Sequence, residues 1–276
     1  MLARFICPDN EQIDVSSCLG SCRLGQRCLT LPTLAVVARD RPWDGRPHVT
    51  DLLNGTRQSY LRITKDYAVK PTGRAYALLG SSHHKLMHDS GTWLSEVDVS
   101  NNQYHGTLDL LEPDGSGYTL YDMKAFGSYK VAKCLGLVKT NGLWVADPEA
   151  ADMFEQEMQL NMYRVLLGKL TARKGFKGEY RITSLRLQVT VRDGNTSVAT
   201  SRGVTEPIYI IPVRRLPDRD VIGYFSRKRK ALLQALKLGM AELCTEYECW
   251  NNHNKCKYYC DVAEFCVRGR MYKMGR

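Results

Sequence analysis

Apolar positions recur at no sustained period along the first 30 residues, which are polar and rich in Gly and Cys. Order in that segment is therefore expected to depend on ligation or docking. Between Arg41 and Thr72 the pattern stays mixed and is broken by Arg41-Pro42, Asp44-Gly45 and Asn54-Gly55, which predicts only short elements. From Arg74 to His88, Ala75, Leu78, Leu79 and Leu86 are spaced as on a helix packed on one side, and that helix carries His84. Strands are predicted over Trp93 to Ser100, Tyr104 to Glu112 and Gly117 to Ala125, the last two joined as a hairpin by Pro113-Asp114-Gly115-Ser116. Asp147-Pro148 gives an N-cap followed by Pro at the first helical position, opening a helix to about Leu170 with Phe154, Met158, Tyr163, Leu166 and Leu167 apolar. Tyr180 to Arg192 alternates up to the Asp193-Gly194 turn, Pro207 to Val213 gives a further strand, and Ile222 to Leu243 a last helix. The order of helices and strands predicts an α/β chain whose ends carry the cysteines, a segment over 1–73 and a helix with a Cys-rich metal-binding segment over 216–276, the two ends packing together.

Composition narrows the class. Of 276 residues 43% are hydrophobic and 25% charged, an ordinary globular balance that excludes wholesale disorder. The longest aliphatic runs, Leu34 to Ala38 and Ile208 to Ile211, fall far short of the roughly 20 residues of a membrane helix. The opening Met-Leu-Ala-Arg-Phe-Ile-Cys-Pro-Asp has neither a continuous apolar stretch nor a small-residue cleavage site, so an intracellular, cytoplasmic protein with no membrane partner is expected. Lys and Arg number 39 against 29 acids, a net +10 that favours a polyanionic partner, nucleic acid first. The ten cysteines gather at the ends: Cys7, Cys18, Cys22 and Cys28 at one, Cys244, Cys249, Cys256, Cys260 and Cys266 at the other, with Cys134 between. In a reducing compartment that distribution favours metal ligation over disulfides.

Candidate chemistry lies on the hairpin. Asp109, in Gly106-Thr107-Leu108-Asp109, and Asp122, in Asp122-Met123-Lys124, come from neighbouring strands and converge. Lys124 lies two residues past an acid and so points to the same face. Converging carboxylates suit Mg2+ or Mn2+, and a cation beside an ammonium suits phosphodiester hydrolysis, where charge builds on phosphate oxygens. Taken singly these motifs are common: acid-x-Lys occurs by chance in most chains, a tyrosine four residues after Gln159 is more often core than contact, and a helical histidine more often packs than ligates.

Their order is specific. Gly80-x-x-x-His84, Gly106-x-x-Asp109, Asp122-x-Lys124 and Gln159-x-x-x-Tyr163 together resemble the RecB-like branch of the PD-(D/E)xK nucleases. The cysteine ends resemble its iron-sulfur members, the CRISPR-associated RecB-like exonucleases and AddB-type nuclease domains. The resemblance covers residues 74–215 and implies there a restriction-endonuclease-like α/β core with a mixed central sheet flanked by helices, and a Mg- or Mn-dependent deoxyribonuclease. His84, Asp109 and Asp122 would ligate the cation, Lys124 would orient water and stabilise the transition state, and Gln159 with Tyr163 would position DNA. It also implies a [4Fe-4S] cluster on one N-terminal and three C-terminal cysteines, here Cys28 with Cys256, Cys260 and Cys266. The acid before Lys124 is Asp where many members carry Glu, and three residues rather than the usual two separate Cys256 from Cys260.

Cysteine arithmetic leaves alternatives. Cys7, Cys18, Cys22 and Cys249 could form a second site holding Zn2+, or each end could make its own site, with Cys7, Cys18, Cys22 and Cys28 in one and Cys249, Cys256, Cys260 and Cys266 in the other. Buried, unligated thiols are the bland alternative, and Cys134 and Cys244 are assigned to packing. Candidate phosphate contacts are Lys130, in Gly127-Ser128-Tyr129-Lys130, and the run Arg227, Lys228, Arg229 and Lys230, although such runs are often just solvated. The expected activity is single-strand-preferring exonucleolytic cleavage in recombination, repair or processing, with host cytoplasm as the setting if the gene is a phage's. A separate helicase or recombinase and a homo-oligomer are candidate partners. A junction or flap endonuclease and a non-catalytic DNA-binding recombination adaptor are the rival readings.

Overall fold

A computed structural model describes residues 1–74, 76–89, 94–171 and 180–273. In chain order the first elements are β1 (Leu2–Ile6), β2 (Gln12–Asp14), α1 (Val15–Gly20), α2 (Leu31–Val37), α3 (Val49–Leu53), α4 (Thr56–Thr64), β3 (Tyr67–Val69) and α5 (Tyr76–Asp89). Then come β4 (Leu94–Asp98), β5 (Thr107–Pro113), β6 (Tyr118–Phe126), α6 (Ser128–Cys134), β7 (Leu137–Thr140), β8 (Leu143–Ala146) and α7 (Phe154–Thr171). The chain closes with β9 (Ile182–Val191), α8 (Ser197–Ser201), β10 (Ile208–Val213), α9 (Asp218–Leu238) and α10 (Val267–Lys273). It divides into two compact units, Gly80–Gly223 and a second made of Met1–Leu79 with Tyr224–Arg276. No helix among the described residues is long and apolar enough to cross a membrane.

The alternating segments of Gly80–Gly223 form a five-stranded mixed sheet in the order β10-β9-β6-β5-β4. All neighbours are antiparallel except β6 and β9, which run parallel from Tyr118↔Ile182 to Phe126↔Val191. A parallel pair needs a long return path, and α6, the β7–β8 hairpin and α7 supply it. Helices α6 and α7 both pack on β6 and β9. The core is aliphatic, with Leu108, Leu111 and Leu120 of the hairpin, Leu187 and Val189 of β9, and Leu160, Leu166 and Leu167 of α7 buried. Gly106 permits this packing, because a Cβ there would stand 3.2 Å from the Tyr163 ring and 3.1 Å from Val99. The Gly of Gly106-x-x-Asp109 and the Tyr of Gln159-x-x-x-Tyr163 are thus complementary shapes.

Two predicted boundaries shift. Asp147 caps only a 3-10 turn over Pro148–Ala150, accepting from the Glu149 amide at 3.2 Å, and α7 begins at Phe154. The intervening chain is held against the end of α6: Asp147 N donates to Gly136 O (2.7 Å) and Asp152 N to Lys133 O (3.0 Å), bonds between residues too distant to show in local periodicity. Helix α9 stops at Leu238 because Gly239 adopts φ +71° and Met240 N turns back to Ala235 O, a glycine-based C-terminal cap. On α5, Leu79 and Leu86 lie seven residues apart on one face, and that face is exposed (52% and 66%). The apolar positions there span two directions on the helix rather than one stripe. Ala75 and Trp93, which the sequence placed in this helix and in the strand after it, lie outside the described residues.

In the other unit the N-terminus forms a sheet instead of an irregular appendage: β1 pairs antiparallel with β2 and parallel with β3. Phe5 is buried with Tyr67 and Ala68 in the same core. Strand β3 lies some sixty residues away, so no local pattern announces the pairing. The two ends of the chain are joined by polar contacts around α4. Arg62 grips Asp261 through Nε (3.0 and 2.9 Å) and a terminal nitrogen (2.8 Å), and Lys255 Nζ donates to Asn54 Oδ1 at 3.0 Å. Arg57 and the Tyr60 hydroxyl donate to the carbonyls of Ala241 and Gly239.

Candidate functional site

The β5–β6 ladder runs from Pro113↔Tyr118 to Leu110↔Tyr121. One more step would set Asp109 opposite Asp122, but there the Asp109 carboxylate accepts from the Met123 amide at 2.7 Å, so a side chain replaces the backbone pairing. Asp122 is 1% exposed. Its Oδ1 accepts from Lys124 Nζ at 2.5 Å and from Gln159 Nε2 on α7 at 2.9 Å, whereas its buried Oδ2 has no hydrogen-bond partner among the described residues. Burial pulls the Lys124 ammonium down, but the charges of Asp122 and Asp109 outweigh it and leave its pKa raised, so Lys124 is a fixed cation over two carboxylates.

Asp109, Asp122, Lys124, Gln159 and Tyr163 are thus gathered within one unit. Gln159 and Tyr163, assigned by resemblance to DNA, are both buried, and Gln159 Nε2 lies 3.4 Å from the Tyr163 hydroxyl. Gln159 contacts the Asp122 carboxylate, and Tyr163 contacts Gln159 and Gly106. His84 lies in α5, and its side chain falls outside the described residues. Among the described residues no three His, Cys, Asp or Glu side chains stand where they could hold a metal ion.

The segment after β6 carries Lys130, the phosphate contact the sequence suggested, beside a capped helix start. Asp193 caps α6, accepting from Ser128 N and Oγ, both at 2.6 Å. These bonds, with Arg202 nearby, hold its pKa below the usual carboxylate range despite partial burial. Lys130 Nζ donates to Asp152 O at 3.2 Å. The exposed group here is Tyr129, with Lys133 and Arg202 over its ring at 5.4 and 5.8 Å and Trp144 at 6.0 Å. The sequence reading missed this cluster; an aromatic beside basic residues was its one signal. In the basic run on α9, Lys228 is tied to Glu248 (2.6 Å) and to Asn54 O (2.7 Å), while Arg227 and Lys230 are exposed.

The cysteines form two groups, both within the unit of the chain ends. The buried Cys18 thiol is pushed up by burial and by its neighbours Cys7, Cys28 and Cys22. Cys244, Cys249, Cys256, Cys260 and Cys266 line one cavity with Arg57 and Arg268. There Cys249 and Cys256 sulfurs lie 3.4 Å apart and Arg268 donates to Cys249 Sγ at 3.3 Å. Burial and the neighbouring Cys249 push Cys256 up to about 12, and burial with Glu248 pushes Cys244 up to about 11. Cys28 is not among the cavity's lining residues, and Cys244, expected to be packing, is one of them. Cys134 is buried in α6, and burial pushes it up to about 11.

No protein-family model and no curated protein matches the chain. A solved structure described as "Crystal structure of SSO0001" is similar over 85% of this chain and 91% of that one, at 12% identity and a TM-score of 0.41, a likeness that carries no argument.

Proposed function

We propose that this protein is a Mg2+- or Mn2+-dependent deoxyribonuclease with a PD-(D/E)xK core, acting as an exonuclease that prefers single strands. The observation that carries the reading is Asp122: a buried carboxylate with one oxygen held by Lys124 and Gln159 and the other left without a partner. An orphaned buried carboxylate oxygen is costly, and a divalent cation would relieve it. Asp122, Asp109 and His84 would hold that cation, which when bound polarises phosphate and makes water acidic. Gln159 fixes the Asp122 carboxylate in place through Oδ1, and Tyr163 packs against Gly106 behind that contact. Lys124 keeps its proton and offers positive charge where charge builds on phosphate oxygens.

We propose further that the cysteines of the sulfur-lined cavity, which do not stand at ligating positions among the described residues, would close around a thiophilic group, a [4Fe-4S] cluster or Zn2+. Burial, and then the neighbouring Cys249, raise the Cys256 pKa, and a bound cation would reverse that effect. The test of the nuclease reading is end-labelled DNA incubated with Mn2+, Mg2+ or chelator. Asp122→Asn is expected to lose cleavage by about 100-fold or more, the scale of removing one electrostatic element of a site, while keeping its circular dichroism and melting temperature. Undiminished cleavage by the folded variant would refute the assignment.

A further inference from the structure

Between Cys249 and Cys260 the chain exposes rings that a folded core would normally hide. Trp250, Tyr258 and Tyr259 are 44%, 60% and 65% exposed. They form a continuous series: Trp250 and Tyr259 centroids are 5.2 Å apart, and Tyr259 and Tyr258 are 6.2 Å apart. Two lysines of the segment lie against rings: the buried Lys255, its Nζ 5.3 Å from the Trp250 ring, and Lys257, its Nζ 5.0 Å from that of Tyr272. The carboxylates that flank the segment are paired, Asp261 with Arg62 and Glu248 with Lys228. The backbone presents the first ring deliberately. Trp250, Asn251, Asn252 and His253 all have positive φ (58°, 37°, 50° and 58°), a left-handed run that L residues resist. A π-helical turn over Lys255–Tyr259 then carries the two tyrosines.

From these observations we infer that the Trp250–Tyr259–Tyr258 surface binds single-stranded DNA by stacking its bases. Exposed flat rings beside a lysine match unpaired bases on a phosphate backbone, each ring taking a base face while Lys257 offers charge to a phosphate; the buried Lys255, bonded to Asn54, supports the Trp250 ring instead. A duplex keeps its base faces stacked internally and offers this surface only phosphates, so the rings discriminate single strands from double. The net charge of +10 supplies the long-range attraction. The surface belongs to the unit of the chain ends and does not rest on the nuclease reading, since binding is separable from cleavage.

Anisotropy of a labelled 15-nucleotide oligo(dT) and of a matched duplex tests this in the Asp122→Asn background, with no chelator present. Tyr258→Ala/Tyr259→Ala is expected to weaken single-strand binding about tenfold or more and duplex binding less than twofold, the single-strand loss persisting at raised salt. The Tyr258→Phe/Tyr259→Phe chain keeps both rings and should bind as the parent does. Trp250→Phe should diminish the quenching of intrinsic fluorescence by oligo(dT). Equal affinity in the Ala variant, or equal losses for single strand and duplex, would overturn the proposal. Phe substitutions as damaging as Ala would also overturn it, because the hydroxyls and not the rings would then be responsible.

Discussion

The two units arrange their reactive groups by opposite means. In Gly80–Gly223 the carboxylates sit on a sheet whose register is fixed by hydrogen bonds, and Asp122 is immobilised by Lys124 and Gln159 without any added ligand. In the unit of the chain ends, Cys249, Cys256, Cys260 and Cys266 lie on or beside short 3-10 and π turns, which have no ladder to set their spacing. Hydrogen bonds on a sheet therefore organise the first site, whereas the second rests on turns that set no spacing of their own. Precise placement of charge needs a rigid element.

The largest effect that could break this contrast is on metal content. Cys249→Ala/Cys256→Ala is expected to lose a bound thiophilic metal, measured by elemental analysis. It should also lose about 4 kcal/mol of stability, the linkage expected at a thousandfold excess over Kd. Hydrogen exchange should quicken in α4 and α10 while β6 and β9 stay protected. Unchanged metal content and stability would remove the distinction between the units.

A smaller effect is expected at the Arg62–Asp261 pair, which joins the two ends of the chain. Arg62 is 36% exposed and Asp261 16%. Breaking the pair should therefore cost about 1–3 kcal/mol, below the 3–5 of a fully buried one. A double-mutant cycle with Arg62→Ala and Asp261→Ala in urea measures the coupling. A coupling near zero would show that this pair contributes nothing to joining the ends.

The smallest effect concerns acid. The Asp193 pKa is lowered in the folded state from 3.8, chiefly by its bonds to Ser128. Its stabilisation is thus complete above about pH 4 and is lost as pH falls through the lowered folded value. Exchange protection in α6 should drop below that point in the parent chain, and Asp193→Asn should be less protected at neutral pH with a flatter acid profile. The same profile in both chains would show that the cap contributes nothing.

Much of the carboxylate site could be read from the residues because strands and turns are short-range features. The hairpin of β5 and β6, its Pro113-Asp114-Gly115-Ser116 turn and the shared side of Asp122 and Lys124 all follow from a period of two. The role of Gln159 could not be read that way. The resemblance gave Gln159 and Tyr163 a role on DNA, whereas the packing of α7 on β6 sets Gln159 against Asp122 and Tyr163 against Gly106, a contact that no local pattern announces. The cap on α6 was equally hidden, since Asp193 comes from a turn 65 residues after Ser128.

By itself the sequence determined the order of helices and strands, the mixed-sheet class, the basic charge and the clustering of cysteines at the two ends. These depend on local periodicity, turn chemistry and counting. Tertiary structure alone decided that β1 pairs with β3 and that one oxygen of Asp122 is held while the other is left bare. It also decided that Cys244 joins the C-terminal sulfurs while Cys28 lies with Cys18. Each of these is a meeting of groups far apart along the chain, fixed by which surfaces bury one another, and no window of neighbouring residues contains that information.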